Sequence, residues 1–303
     1  MRLGVAATPT VAIPTLDWLV NSRHTLVRTI TVEDKPAGRG RTLSASSVAQ
    51  WSQDHGVACL KPKSSNELLG NIEDLDLVIT IGYGVILPES ILSLPKKGFI
   101  NLHFSLLPLY RGAAPVQRAI QNGETETGVT VFQLDKGMDT GPIYFSAQQN
   151  IDPSWRSSEL LEVLSHLGPS VIQESLDAIE AGLLPYKQIG ASSLASKLNV
   201  EEGAIDWKDK ESTVINLVRA FYPQPCAYSF FRKEKIKITN ISASVQELSL
   251  APGEIVTDGK SVYVGCGSNT SLELLSVIPS GKAEMKAADW ARGARFTSGE
   301  KLG

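Results

Sequence analysis

Asn101, His103 and Asp139 are the residues whose types and spacing could do chemistry. Asn101 and His103 lie at the end of an apolar run, 98–102, that reads as a buried strand. Positions i and i+2 of a strand face the same side, so an amide and an imidazole can converge on one ligand. Asp139 follows on the glycine-bounded loop Gly137-Met-Asp-Thr-Gly141, after the strand-like run 129–133. Together these groups could hold an oxyanion, move a proton and tune that proton's donor. Each also has a plainer reading. A single histidine beside turn formers is an ordinary core or loop residue, and aspartate before Thr-Gly is good turn chemistry. The combination, with amide and imidazole in register, is what points to an enzyme.

The elements needed to position these residues can be read from the same half of the chain. Short β-branched runs at 2–6, 26–30, 58–61, 77–80, 98–102 and 129–133 alternate with helix-patterned segments at 14–20, 44–54, 65–70 and 115–121. The last of these helices opens on Pro115, a favoured first-turn residue. Such alternation predicts an α/β fold with a Rossmann-like, mostly parallel sheet, in which ligands bind beyond the carboxyl ends of the strands. A long amphipathic helix region follows at 158–182, with a break or bend expected at Gly168-Pro169. Residues 183–204 are polar and without sustained period, as in a linker. From residue 205 a helical piece, 212–220, precedes alternating segments at 227–232, 235–238, 253–257, 261–266 and 272–277, the pattern of a small β-barrel or sandwich. The expected organisation is a catalytic domain over 1–182, a linker over 183–204 and a β-barrel domain over 205–303.

The composition sets limits on function. With 303 residues, 42% apolar and 20% charged, the chain has the make-up of an ordinary soluble protein with room for two cores. No apolar run is long enough to span a membrane, and the first residues enter a strand-like run at once, so no signal peptide is expected. Cys59, Cys226 and Cys266 are odd in number and widely separated, which argues against a disulfide framework or structural zinc and fits a reducing cytoplasm. P-loop, GxGxxG, HExxH and nucleophile-elbow motifs are absent, and no metal is expected. The net charge of −3 divides unevenly, −5 over residues 1–203 and +2 over 204–303. That permits a polyanionic partner without demanding one. Arg39 and Arg41, in the loop Asp34-Lys-Pro-Ala-Gly-Arg-Gly-Arg41, fit either a solvated loop or a phosphate contact.

The segments Asn101-x-His103, Ser105-Leu-Leu-Pro108, Tyr110-Arg-Gly-Ala-Ala-Pro115, Thr127-Gly-Val-Thr130 and Gly137-Met-Asp-Thr-Gly141 resemble, in order and spacing, the folate-dependent formyltransferases. Outside that core, the loop 35–41, Ala204-Ile-Asp-Trp207, Val218-Arg-Ala-Phe-Tyr-Pro-Gln-Pro225, Pro252-Gly-Glu-Ile255 and Gly281-Lys-Ala-Glu-Met285 look like landmarks of the branch that formylates a charged tRNA. Two departures stand out. Ala7-Thr8-Pro9 replaces the usual Gly-Thr-Pro, and Phe104 occupies a position where a small residue is usual, so its ring must pack beneath the sheet or narrow the folate pocket.

The resemblance implies a C-terminal OB-fold-like barrel that binds tRNA. It also implies formyl transfer from 10-formyltetrahydrofolate to the α-amino group of methionine on initiator tRNA, by a cytoplasmic monomer. Asn101 would hold the oxyanion, His103 would shuttle the proton, and Asp139 would orient the imidazole. Ser105, Leu106, Leu107 and Pro108 would line the folate site, with backbone near Val85, Ile86 and Leu87 and across 134–141 meeting the pterin. Arg39 and Arg41 would reach the acceptor end of the tRNA. Lys233, Lys235 and Lys237, alternating on a strand, would share a basic face, although such lysines also guard solvated edge strands. Other acceptors, a sugar nucleotide or glycinamide ribonucleotide, and a non-catalytic tRNA- or folate-binding relative are the competing expectations.

Overall fold

The structure, a computed structural model, describes residues 1–37, 42–246, 248–297 and 299–303. These fall into two compact units. The first comprises Met1–Pro115, Glu126–Asn150 and Leu161–Ala195, and the second Val116–Thr125, Ile151–Leu160 and Ser196–Gly303.

The first unit is built on nine strands: β1 (Arg2–Ala7), β2 (Thr25–Ile30), β3 (Lys35–Ala37), β4 (Thr42–Ser44), β5 (Ala58–Leu60), β6 (Leu77–Ile81), β7 (Phe99–His103), β8 (Glu126–Gln133) and β9 (Ile143–Asn150). Seven of them form one sheet in the order β5-β2-β1-β6-β7-β8-β9, while β3 and β4 pair as a separate hairpin. The pairs from β5 through β7 are parallel, and β7–β8 and β8–β9 are antiparallel. Every residue of β6, and all of β1 after Arg2, is buried, as a strand must be when both faces of a sheet are covered. The strand order reverses between β1 and β6, so the switch-point crevice opens between the ends of these two strands, with β7 next to β6.

Helices α1 (Ile13–Val20), α2 (Ser47–Asp54) and α3 (Glu89–Leu92) accompany these strands; α4 (Pro115–Gln121) falls, after its first residue, in the second unit, and α5 (Ser157–Glu180) belongs to the first from Leu161 on. α2 begins where Ser46 caps it, its hydroxyl accepting the Ala49 N–H at 3.0 Å. The break expected at Gly168-Pro169 does not occur, because α5 runs through Pro169 without interruption. Gly168 has a packing role instead. A Cβ there would stand 2.9 Å from Leu102 of β7 and 2.7 Å from the Thr15 hydroxyl of α1. The missing side chain lets the helix lie directly against the strand that carries Asn101 and His103.

The 183–204 segment, read from composition as a linker, has a definite course. Tyr186 exchanges both backbone hydrogen bonds with Ile143, at 2.7 and 2.9 Å, and Leu194 bridges Arg111. Polarity and aperiodicity here reflect isolated backbone bridges to the start of β9 and to a loop, which leave no helical or strand period to detect.

The second unit contains α6 (Glu211–Phe221), β10 (Ala227–Phe231), β11 (Glu234–Ala243), β12 (Ile255–Thr257), β13 (Val262–Cys266), β14 (Thr270–Pro279), β15 (Met285–Lys286) and α7 (Ala287–Ala294). Its sheet is antiparallel with the path β10-β11-β14-β13-β12, and β15 adds to β14. The chain end joins the two outer strands. Ile255 donates to Glu300 O, Leu302 to Gly253 O and Gly303 to Phe230 O, at 2.8 to 3.0 Å. Lys301 bridges Glu254 and Leu302 bridges Phe231, so both open edges are tied together and the sheet closes on itself. Among the described residues, no helix is long and apolar enough to cross a membrane.

Candidate active site

Asn101 sits in β7 opposite Thr80 of β6. The Thr80 hydroxyl lies 2.8 Å from Asn101 Oδ1 and 3.2 Å from the Ile100 carbonyl, both acceptors. Holding Oδ1 fixes the amide and directs its NH₂ away from Thr80, leaving two donors for a ligand. Thr80 is a residue of this candidate site that the sequence reading missed. Its signal was present, since a polar residue two before Gly82 in an otherwise apolar strand is hard to account for by burial alone.

His103 is 5% exposed and stands edge-on to Phe132, with ring centroids 6.4 Å apart. Its Nε2 lies 2.9 Å from the carbonyl oxygen of Tyr110. A carbonyl can only accept, so Nε2 carries the proton and Nδ1 holds the lone pair. Nδ1 faces Asp139 Oδ2 at 3.7 Å, an electrostatic rather than a hydrogen-bonding separation. Burial pushes the imidazole pKa below its ordinary value, and the Asp139 charge and the Tyr110 carbonyl oppose that without overcoming it. The resting group is a neutral base.

Two loops hold this pair. In the first, Tyr110 and Gly112 take backbone φ angles of +60° and +121°. Tyr110 thereby offers its carbonyl to His103, and Gly112 donates its N–H to Asp139 Oδ2 at 2.7 Å. A side chain at Gly112 would meet the Ala195 carbonyl oxygen at 2.8 Å. In the second loop Asp139 itself adopts φ +55°, a left-handed conformation that aspartate tolerates better than most residues. Asp135 braces that loop, accepting from Gly137 N at 2.9 Å and from the Thr140 hydroxyl at 2.8 Å.

The Thr127-Gly-Val-Thr130 motif is explained by what crosses it. A Cβ at Gly128 would stand 2.6 Å from Leu106, and Thr130 donates to Ser105 O at 2.7 Å while accepting from Leu107 N at 3.2 Å. The motif seats the chain that leaves His103.

The sequence-predicted folate positions divide between exposed and buried. Val85 and Ile86 lie just past the end of β6 and are 41% and 95% exposed, and Leu87 packs in part against the core. Leu106 and Pro108 are half-buried. Ser105 and Leu107 are the buried ones. Ser105 is fully buried and its hydroxyl donates to Leu109 O at 2.6 Å, while Leu107 packs with Phe132 and Ile143. Both lock the loop from inside, since a turn this tight needs its own polar and apolar contacts satisfied. Phe104 is also buried, which places its ring in the interior rather than across the crevice.

Arg39 and Arg41 lie outside the described residues; they belong to the segment joining β3 and β4. In the second unit, Lys235 and Lys237 share one face of β11, opposite Phe230 and Tyr228, and the Lys235 ammonium lies 3.4 Å from the Tyr228 ring centroid. Lys233 does not join them. With Arg232 it forms the β10–β11 turn at φ +50° and +69°, because a two-residue hairpin needs both central residues left-handed. The one His/Asp/Glu cluster with metal-ligand spacing among the described residues is His24, Asp177 and Glu180. Its carboxylates already pair with Arg23 and the Met1 amino group, so it offers a cation little.

Comparison with known proteins places both units. Residues 5–176 match the formyl transferase family model, and residues 197–295 match that of the formyl transferase C-terminal domain. The chain is 42% identical to a methionyl-tRNA formyltransferase of Salinispora tropica over 309 residues, covering all of both chains. It resembles a Helicobacter canadensis N-formyltransferase solved with folinic acid and dTDP-3-aminofucose, with TM-score 0.71 and 18% identity over 90% of this chain and 98% of that one. Aquifex aeolicus HypX, solved with tetrahydrofolic acid, gives TM-score 0.67 at 18% identity, covering 96% of this chain and 46% of HypX.

Proposed function

The chain belongs to the formyl transferase family, whose two domains it carries in order, and on that footing we propose that it moves the formyl group of 10-formyltetrahydrofolate onto the α-amino group of methionine on initiator tRNA. A folate-type donor accords with the family and with the tetrahydrofolate bound by HypX. The tRNA acceptor accords with full-length identity to the methionyl-tRNA formyltransferases.

The observation that carries the mechanism is the fixed tautomer of His103 next to a fixed amide. The methionyl amine attacks the formyl carbon, and the carbonyl oxygen becomes an oxyanion. Asn101 meets that charge with its free NH₂, whose direction Thr80 maintains. His103, neutral at rest, takes the proton lost by the amine on Nδ1 and returns it to folate N10 as the C–N10 bond breaks. Asp139 stabilises the imidazolium formed in between. The proton count closes without a covalent enzyme intermediate. The crevice residues Val85 and Ile86 and the 134–141 backbone would receive the pterin. Arg39, Arg41, Lys235 and Lys237 would follow the tRNA backbone, with Lys233 at the hairpin tip.

The test is to incubate the protein with 10-formyltetrahydrofolate and methionyl initiator tRNA, and in parallel with a dTDP-amino sugar. Formyl-methionyl-tRNA should accumulate only in the first reaction. Formylation of the sugar instead of the tRNA would overturn the acceptor assignment.

A further inference from the structure

We propose that Gln188 is a positioning residue that sets the distance between Asp139 and His103, acting through the loop 137–141; this rests on the catalytic reading of that pair. Its side-chain amide is used at both ends. Nε2 donates to the Asp139 carbonyl at 2.9 Å and to the Gly141 carbonyl at 2.8 Å. Oε1 accepts from Arg111 Nη2 at 2.6 Å and Nε at 3.2 Å. One side chain therefore ties the loop that bears Asp139 to the loop that holds His103 through Tyr110 and holds Asp139 through Gly112.

The backbone on either side strengthens this tie. Toward the N-terminus, Tyr186 pairs with Ile143 at the foot of the Asp139 loop. Toward the C-terminus, Ser193 accepts from Arg111 N at 2.9 Å through its carbonyl and from Tyr110 N at 2.8 Å through its hydroxyl, and Ala195 donates to Arg111 O at 2.7 Å. Residues 186–195 thus form a strap across both loops with Gln188 as its cross-link. The strap has a defined load. Asp139 is left-handed and the His103–Asp139 gap is 3.7 Å, so a loop free to relax would let the carboxylate drift. Among the polar side chains of this strap, only an amide can donate to two carbonyls while accepting from a guanidinium.

Gln188→Glu separates positioning from folding. The carboxylate is isosteric and keeps the Arg111 contact, yet it has no proton for the Asp139 and Gly141 carbonyls. The expected result is a fall in kcat of roughly 10- to 100-fold, the scale of a misplaced catalytic group. KM for tRNA and the melting temperature should stay near wild type. Asp139→Asn provides the reference. If Gln188 acts through Asp139, the double variant Gln188→Glu/Asp139→Asn should be no slower than Asp139→Asn alone. Gln188→Glu at wild-type rate, rate losses that multiply in the double variant, or a kcat loss matched by a loss of thermal stability would each overturn the inference. If Asp139→Asn is itself fully active, the catalytic reading of the pair fails, and the Gln188 proposal falls for that separate reason.

Discussion

Two opposed influences set the protonation of His103: burial disfavours the imidazolium, and the Asp139 charge favours it. Because burial dominates and the base must be neutral to accept the amine proton, kcat/KM should rise with pH along an acid limb centred below about 6.5 and level off above it. Asp139→Asn removes the favourable charge and should move that limb further toward acid; an unmoved limb in the pH–rate profile would remove Asp139 from the mechanism. The same shift bears on stability. The folded-state pKa of His103 is depressed, as is that of buried His24, so on acidification the unfolded chain binds protons first. Their contribution is intact above about pH 6.5 and is lost as pH falls from there toward the folded pKa values, which urea titrations across that range would record. Asn101→Ala should lower kcat by about 10²–10³-fold with little effect on KM, the usual cost of one oxyanion donor. Thr80→Val leaves Asn101 Oδ1 without its donor and lets the amide flip, for an expected loss of about tenfold in kcat.

The sheet delivers Asn101 and His103 at adjacent same-face positions, and helix α5 fixes the strand that carries them. Gly168→Ala places a methyl 2.9 Å from Leu102, in a contact that must yield by moving strand or helix. We expect about 1–3 kcal/mol of destabilisation with reduced kcat, read from denaturant unfolding and initial rates. This element also marks how far the sequence was legible. The strands 98–102 and 129–133 could be read because apolar β-branched runs bounded by glycine have few other uses. The Gly168-Pro169 pair suggested a break or bend by local rules, yet α5 continues through it with Gly168 against Leu102. The strap 186–195 escaped notice for a different reason. Its hydrogen bonds go to partners distant in sequence, and isolated bridges have no period that a sequence window can detect. Lys233 was placed on a strand by alternation alone, but the hairpin turn required that residue and Arg232 for itself.

The chain folds into a unit on a mostly parallel sheet and a smaller antiparallel unit whose two sheet edges are joined by residues 300–303. Leu302 is 3% exposed, so Leu302→Ala should cost about 2–5 kcal/mol and release strand edges, detectable as a lowered melting temperature and as self-association on size exclusion. If Lys235 and Lys237 track the tRNA backbone, the apparent affinity for tRNA should fall steeply with salt while that for folate does not. Replacing either lysine should reduce the log–log slope by roughly one, as expected when a phosphate contact is removed. By itself the sequence determined the two-domain α/β and antiparallel organisation and the identity of the amide, imidazole and carboxylate, because strand alternation and turn chemistry are local properties written in residue order. Only the tertiary structure decided which imidazole nitrogen is free, which way the Asn101 amide points, and that Ser105 and Leu107 brace the loop from within. Those outcomes depend on the carbonyl of Tyr110, the hydroxyl of Thr80 and the side chain of Gln188, and distances between such partners exist only once the chain has brought them together.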